Sequence, residues 1–284
     1  FALKHHAKIY PVIIDHKLRK ESTTEANNLK YKLKKNFNIN CKILSKKIVK
    51  INKNIQSNAR DLRYDLFLNE CNKQKIDYLI LGHHKDDLIE NFFIRFLRGS
   101  GLKGLVSFDK NVSYYNGIKI IRPFLSIPKK DLLKTNKKTF GFFVDDPTNN
   151  DDKFLRSRIR KLLKNLDKEG LKFGKFYLTL KNLSKSDQVI DFFVEKNVVE
   201  NSKYFEKDKK IILNQSFFKN PEEIILRSFT QIIQNISKKK NYPRGKKVVG
   251  LLDSLKFSNK NVKLTLSGCI IEKISDSVII YPEK

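Results

Sequence analysis

The densest concentration of reactive side chains is Gly82-His83-His84-Lys85-Asp86-Asp87-Leu88-Ile89-Glu90-Asn91. Two histidines and three carboxylates in one short run suit a divalent metal or a phosphate-transfer site. Carboxylate oxygens fit Mg2+, which usually keeps several waters and bridges substrate phosphates. Asp87 and Glu90 lie one helical turn apart and His83 precedes Asp87 by four positions, so one helical face could gather all three. An N-capped helix with acids in its first turn would explain the carboxylates through the macrodipole. It would not explain the histidine pair. A second cluster, Asp15-His16 with Arg19, Glu21 and Ser22, reads equally as a polar loop that caps the next helix. In a third, Arg95-Phe-Leu-Arg98-Gly99-Ser100-Gly101-Leu102-Lys103-Gly104, glycines would let backbone amides approach an anion. The same residues would also serve as a helix C-cap with dipole-compatible cations. In the fourth, Arg156-Ser-Arg158-Ile-Arg160-Lys161, Arg156 and Arg160 share a helical face. Clustered arginines suit bidentate phosphate contacts, although a charge run is commonly a solvated face.

The elements around these clusters alternate. Lys8–Asp15, Asn40–Leu44 and Asp77–Gly82 are rich in β formers and read as strands. Thr23–Lys35, Gln56–Gln74 and Asp86–Arg98 carry apolar residues at helical spacing. Strand–helix alternation predicts an α/β fold, a parallel sheet with helices on both faces. Ligands in such sheets bind beyond the carboxyl ends of the strands, where the first two clusters lie. Lys119–Phe124 reads as extended, Lys129–Lys138 as a short basic helix and Phe142–Asp152 as a loop. From Leu155 to Lys239 the pattern is largely helical, with a change near Gly170. Val262–Leu266 and Val278–Tyr281 predict a small terminal β element. The reading is a catalytic domain over 1–160 and a smaller, mainly helical domain with that β element over 161–284.

The chain has 284 residues, enough for about two domains with sizeable cores. Lys and Arg number 59 against 30 Asp and Glu, a net charge of +29 that favours a polyanionic partner. A Lys-, Asn- and Ile-rich composition supplies part of that excess. No apolar run approaches the ~18–20 residues that span a bilayer, so no membrane partner is expected. No signal peptide is visible at the start. Cys41, Cys71 and Cys269 are far apart, with no CxxC pair, which counts against a structural zinc or a disulfide scaffold. A reducing, cytoplasmic setting is the simplest expectation. The chain contains no Met, so residue 1 is not expected to be the translational start.

Taken in order, the motifs resemble the tRNA(Ile)-lysidine synthetase family of the PP-loop ATP pyrophosphatase superfamily. Asp15-His16-x-Leu18-Arg19-x-Glu21-Ser22 resembles the family's D-H-x-L-R-x-E-S, and Ala59-Arg60-x-x-Arg63-Tyr64 its A-R-x-x-R-Y. His83-His84-x-Asp86-Asp87-x-x-Glu90 and Arg98-Gly99-Ser100-Gly101 continue the set. Arg122-Pro123, Asp145-Asp146-Pro147-Thr148-Asn149, Arg156-x-Arg158-Ile159-Arg160, Tyr242-Pro243-Arg244 and Leu266-Ser267-Gly268-Cys269 stay in register. Each motif is weak alone; the ordered set is specific and covers nearly the whole chain.

The resemblance implies a PP-loop, adenine nucleotide alpha hydrolase-like sheet and a ligase. ATP would adenylate C2–O of the wobble cytidine in a tRNA(Ile) with a CAU anticodon, and lysine would displace AMP. It implies ATP as substrate, Mg2+ as cofactor, and tRNA and lysine as partners; a homodimer is compatible with it. Carried over by position, Asp87, His83 and Glu90 are the catalytic candidates, with Asp87 also the metal ligand. Ile14, Asp15, Arg60, Arg63 and His84 would bind ATP, with the Ile13–Asp15 backbone holding adenine. Arg98, Ser100, Arg156, Arg158 and Arg160 would contact tRNA, the last three serving the tRNA or the ATP phosphates. The sequence departs from the family at Lys17, Asn91 and Ser157, and the family's phosphate-binding S-G-G-x-D-S loop is not in it. The expectation is therefore that these 284 residues alone are inactive or nearly so. Two alternatives stay open. One is a non-catalytic tRNA-binding remnant; the other is a different PP-loop enzyme, such as a thiolation protein that relies on cysteines.

Overall fold

A computed structural model describes residues 8–15, 17, 21–46, 55–108, 112–115, 117–143, 153, 155–237, 243, 245–257 and 261–283. His16, Leu18, Arg19, the stretch 144–152, Tyr242 and Arg244 lie outside the described residues, and with them parts of three motifs. The chain divides into two compact units, Phe1–Phe176 and Tyr177–Lys284.

The first unit opens with strand β1 (Val12–Asp15), helix α1 (Ser22–Phe37), strand β2 (Lys42–Ser45) and helix α2 (Ile55–Gln74). Strand β3 (Tyr78–Ile80) and helix α3 (Lys85–Phe96) follow, then the short helix α4 (Leu102–Val106). Strands β4 (Val112–Tyr115) and β5 (Ile118–Ile121), helix α5 (Lys129–Phe140) and helix α6 (Leu155–Lys168) complete it. β1 pairs β2 in parallel, Val12 opposite Lys42. β3 pairs β5 in parallel, Tyr78 opposite Lys119, and β4 joins β5 antiparallel. The described strands of the first unit thus form the expected parallel pairs, with β4 added antiparallel to β5. β4 and β5 are joined by a connection too short for the crossover that parallel pairing needs. Val12 and Ile14 pack on a core of Leu44, Phe67, Leu68, Cys71, Leu79, Leu81, Ile118 and Ile120, so both parallel pairs share one apolar layer. α6 runs unbroken through residue 160 and packs against α3.

The second unit holds most of helix α7 (Phe173–Asn201), then strands β6 (Ser202–Phe205) and β7 (Lys210–Leu213). Helices α8 (Glu222–Ser237) and α9 (Gly245–Phe257) lead to strands β8 (Val262–Leu266), β9 (Cys269–Ile274) and β10 (Ser277–Pro282). The strands form one antiparallel sheet in the order β6-β7-β10-β9-β8. Phe217, Phe229, Ile232, Ile233 and Val248 bury against Leu213, Ile271 and Ile280 of that sheet. The β6–β7 hairpin interrupts the stretch that reads as helical. Its β formers, Tyr204-Phe205 and Ile211-Ile212, flank a lysine-rich turn in which Lys209 takes a positive φ of 49°. β7 is fixed by pairing with β10, more than sixty residues later. Local periodicity carries no trace of such a partner.

Candidate active site

The site is built where β3 ends and α3 begins. His84 is the N-cap of α3: its Nδ1 accepts from the Asp87 amide at 3.4 Å, and its own amide donates to Asp87 Oδ2 at 3.1 Å. This reciprocal pair satisfies two backbone donors at once, the logic of a capping box. It also fixes the Asp87 carboxylate at the head of the helix. Asp86 turns away and accepts from the Lys129 amide at 2.8 Å, while the Lys85 amide donates to the Ile127 carbonyl at 3.0 Å. Those bonds tie the start of α3 to the start of α5.

Asp87 and Glu90 lie on the same face of α3, but His83 does not join that face as the spacing suggested. The helix begins at Lys85, so His83 belongs to the preceding loop. Its ring packs edge-on against Phe108, centroids 4.9 Å apart, and its Nδ1 is buried with no hydrogen-bond partner among the described residues. Burial pushes the imidazole down to about 4 against the pull of Asp87, with Arg122, Arg60 and Arg156 adding to the push. His83 is therefore neutral near pH 7.

Glu90 is only 2% exposed. Arg160 Nε donates to its Oε1 at 2.6 Å and Arg160 Nη2 to its Oε2 at 3.3 Å. That contact holds the Arg160 guanidinium above its ordinary range despite burial. Arg156 Nε lies 3.1 Å from Glu90 Oε2, and its Nη2 lies 3.9 Å from Asp87 Oδ1. Arg63 is also near: burial lowers its guanidinium, Arg60 and Arg156 push the same way, and Asp87 opposes them. The Arg60 guanidinium stands 5.4 Å over the Tyr64 ring.

The structure thus brings Asp87, His83, His84, Glu90, Arg60, Arg63, Arg156 and Arg160 into one cluster. Ile14 and Asp15 stand at the end of β1. Ile14 packs into the sheet core, and the buried Asp15 carboxylate accepts from the Lys17 amide, Ser22 Oγ and Thr23 Oγ1 at 2.9, 2.8 and 2.6 Å. These bonds hold it below its usual value although burial opposes them. The side chain organises the turn into α1. Arg98 and Ser100 lie past the other end of α3, and Arg158 is exposed, its Nη1 donating to the Lys153 carbonyl at 3.2 Å. Two further residues line the cluster without a role assigned from sequence. Phe108 supports His83, and buried Arg122 donates to Ser113 Oγ at 3.0 Å with its guanidinium 5.3 Å from the Phe108 ring. Arg122 was visible only as part of an ordered motif; Phe108 gave no signal.

Among the described residues no group of three or more His, Cys, Asp or Glu side chains is gathered for a metal. A single carboxylate such as Asp87 is compatible with Mg2+, because a Mg2+ that bridges substrate phosphates needs only one or two protein carboxylates. Glu90 does not fit, since two guanidiniums already face its oxygens. No helix among the described residues is long and apolar enough to cross a membrane.

A family signature described as a PP-loop domain matches residues 2–166. The tRNA(Ile)-lysidine synthase of Orientia tsutsugamushi is 33% identical over 97% of this chain and 63% of its own length. That of Wolbachia pipientis is 31% identical over 95% of this chain and 62% of its own length. The chain thus spans less than two thirds of these relatives. A solved structure, the U34-tRNA thiolase NcsA of Methanococcus maripaludis, aligns with a TM-score of 0.49 and 19% identity over 61% of this chain and 59% of its own.

Proposed function

The chain belongs to the PP-loop domain family, and from that premise we propose that it is the catalytic part of a ligase that converts the wobble cytidine of tRNA(Ile) with a CAU anticodon to lysidine. The supporting observation is the strand-end cluster, in which the partly buried Asp87 carboxylate faces several guanidiniums and a neutral imidazole. In this reading ATP lies across the ends of β1 and β3. The Ile13–Asp15 backbone meets adenine, and Arg60, Arg63 and Arg156 meet the phosphates. Cations fixed at that position stabilise the charge that develops as the cytidine C2 oxygen bonds to the α-phosphorus and pyrophosphate leaves. Lysine then bonds to C2 through its side-chain amine, and AMP departs with the C2 oxygen. Mg2+, when bound, would draw charge from the phosphates; Asp87 would hold it. His83, being neutral, adds no positive charge beside Asp87. Arg98, Ser100 and Arg158, outside the cluster, would serve the tRNA backbone.

A thiolation enzyme of the same superfamily would call on reactive cysteines. Here all three cysteines are free and buried, and burial raises the Cys41 and Cys71 thiols, the opposite of an activated nucleophile.

The test uses the gene product containing this chain, a tRNA(Ile) CAU transcript, ATP, Mg2+ and isotope-labelled lysine. Lysidine in the nucleoside digest is the expected result, with a loss of about a hundredfold or more in Asp87→Asn. Absence of lysidine under these conditions, or full activity in Asp87→Asn, would overturn the reading.

A further inference from the structure

Glu90 and the two arginines of α6 invite a role that neither a metal ligand nor a tRNA contact describes. Arg160 is spent on Glu90: two of its nitrogens address the two carboxylate oxygens. Arg156 is held differently. Its Nε sits within ion-pair distance of Glu90 Oε2, yet it is buried without a hydrogen-bond partner among the described residues. Its side chain is 38% exposed, and its far end reaches toward Asp87, 3.9 Å away. An arginine carries five donors. Here the carboxylate supplies attraction at Arg156 Nε and leaves the donors at the far end of the guanidinium unspent beside Asp87.

We propose that Glu90 is a positioning residue, which anchors Arg160 and holds Arg156 so that the unspent donors of Arg156 face a phosphate beside Asp87. The inference rests on the reading above only in placing nucleotide phosphates at the strand ends. A long arginine side chain loses rotamer freedom when it grips an anion, and a carboxylate that has already ordered it removes that cost from the binding step. Glu90 therefore strengthens anion binding although it is itself an anion.

That last point separates the proposal from simple electrostatics. By Coulomb's law alone, Glu90→Gln makes the site more positive and tightens a polyanion. Positioning demands the opposite sign. The probe is inorganic tripolyphosphate titrated calorimetrically into this chain at low salt. Glu90→Gln is expected to weaken binding about tenfold, the scale of one lost charge-assisted hydrogen bond. Glu90→Asp, which keeps the charge, is expected to recover part of the loss. Arg156→Gln is expected to cost about tenfold in the parent chain and no more than about twofold in the Glu90→Gln background, because neighbours in one network are not additive. Circular dichroism checks that each variant folds. If Glu90→Gln does not fold, Arg160→Lys decides, because it keeps the charge, loses the fork and should weaken binding in the same direction. Tighter or unchanged binding in these variants, equal losses from Arg156→Gln in both backgrounds, or no binding by the parent chain overturns the proposal. The probe needs neither tRNA nor lysine. A failure to form lysidine therefore leaves this cycle standing, and a failed cycle leaves lysidine formation standing.

Discussion

His83 shows how a residue can be set by its surroundings more than by its own chemistry. Its ring is wedged on Phe108, and burial depresses it from the ordinary value of 6.5 to about 4. Unfolding returns the imidazole to water, where it gains a proton near its ordinary value. Between those two values the unfolded chain binds more protons than the folded one, so stability falls as pH drops across the window. The contribution is present in full above the unfolded value and exhausted below the folded one. Urea midpoints measured from about pH 7 down to about pH 4.5 should decline, and His83→Asn should flatten that part of the decline. An identical decline in His83→Asn would assign the loss to other groups. Asp15 acts with the same sign in a lower window: its lowered carboxyl contributes in full above the ordinary aspartate value and loses that contribution as pH falls below it.

At the scale of elements, α4 brings Gly104 close against Ser100 of the turn that follows α3. A Cβ built on Gly104 would lie 2.9 Å from Ser100 Cβ, whereas one on Gly174 near the start of α7 would meet nothing within 4 Å. Gly104→Ala is expected to destabilise the chain by about 1–3 kcal/mol through overpacking. Gly174→Ala is expected to stabilise it by about 0.5–1 kcal/mol by removing backbone freedom from the unfolded state. Urea unfolding of the two variants checks the pair, and equal effects would refute the argument. The same elements show what sequence carries. α2, α3, α5 and α6 were legible because their residue patterns are local, and the spacing that put Arg156 and Arg160 on one face of α6 was legible for the same reason. The β6–β7 hairpin and β9 were not, because their evidence is a partner strand elsewhere. Within the site, the Asp87–His84 capping pair lies inside four residues, while the seat of His83 on Phe108 and the grip of Arg160 on Glu90 depend on tertiary contact.

At the scale of the whole molecule, the charge of +29 bears on the tRNA partner of the proposed reaction. Each phosphate neutralised releases counterions, so the logarithm of affinity should fall linearly with the logarithm of salt, by about 0.7–0.9 per phosphate contact. Titrating a labelled tRNA between about 50 and 200 mM salt measures the slope, and losing one of the exposed arginines proposed to contact the RNA backbone, Arg98→Gln or Arg158→Gln, should reduce it by about one contact. An unchanged slope in both variants would remove these arginines from the RNA footprint. The partnership of Glu90 with Arg160 has a consequence in time as well as in space. The two residues are 70 apart in the chain. At the usual pace of synthesis, about 5–20 residues per second, the carboxylate leaves the ribosome several seconds before the guanidinium that will cover it. Through that interval α3 carries an acid whose burial has no counterion. The nascent α/β layer must therefore wait, open along that edge, until α6 has emerged to close it.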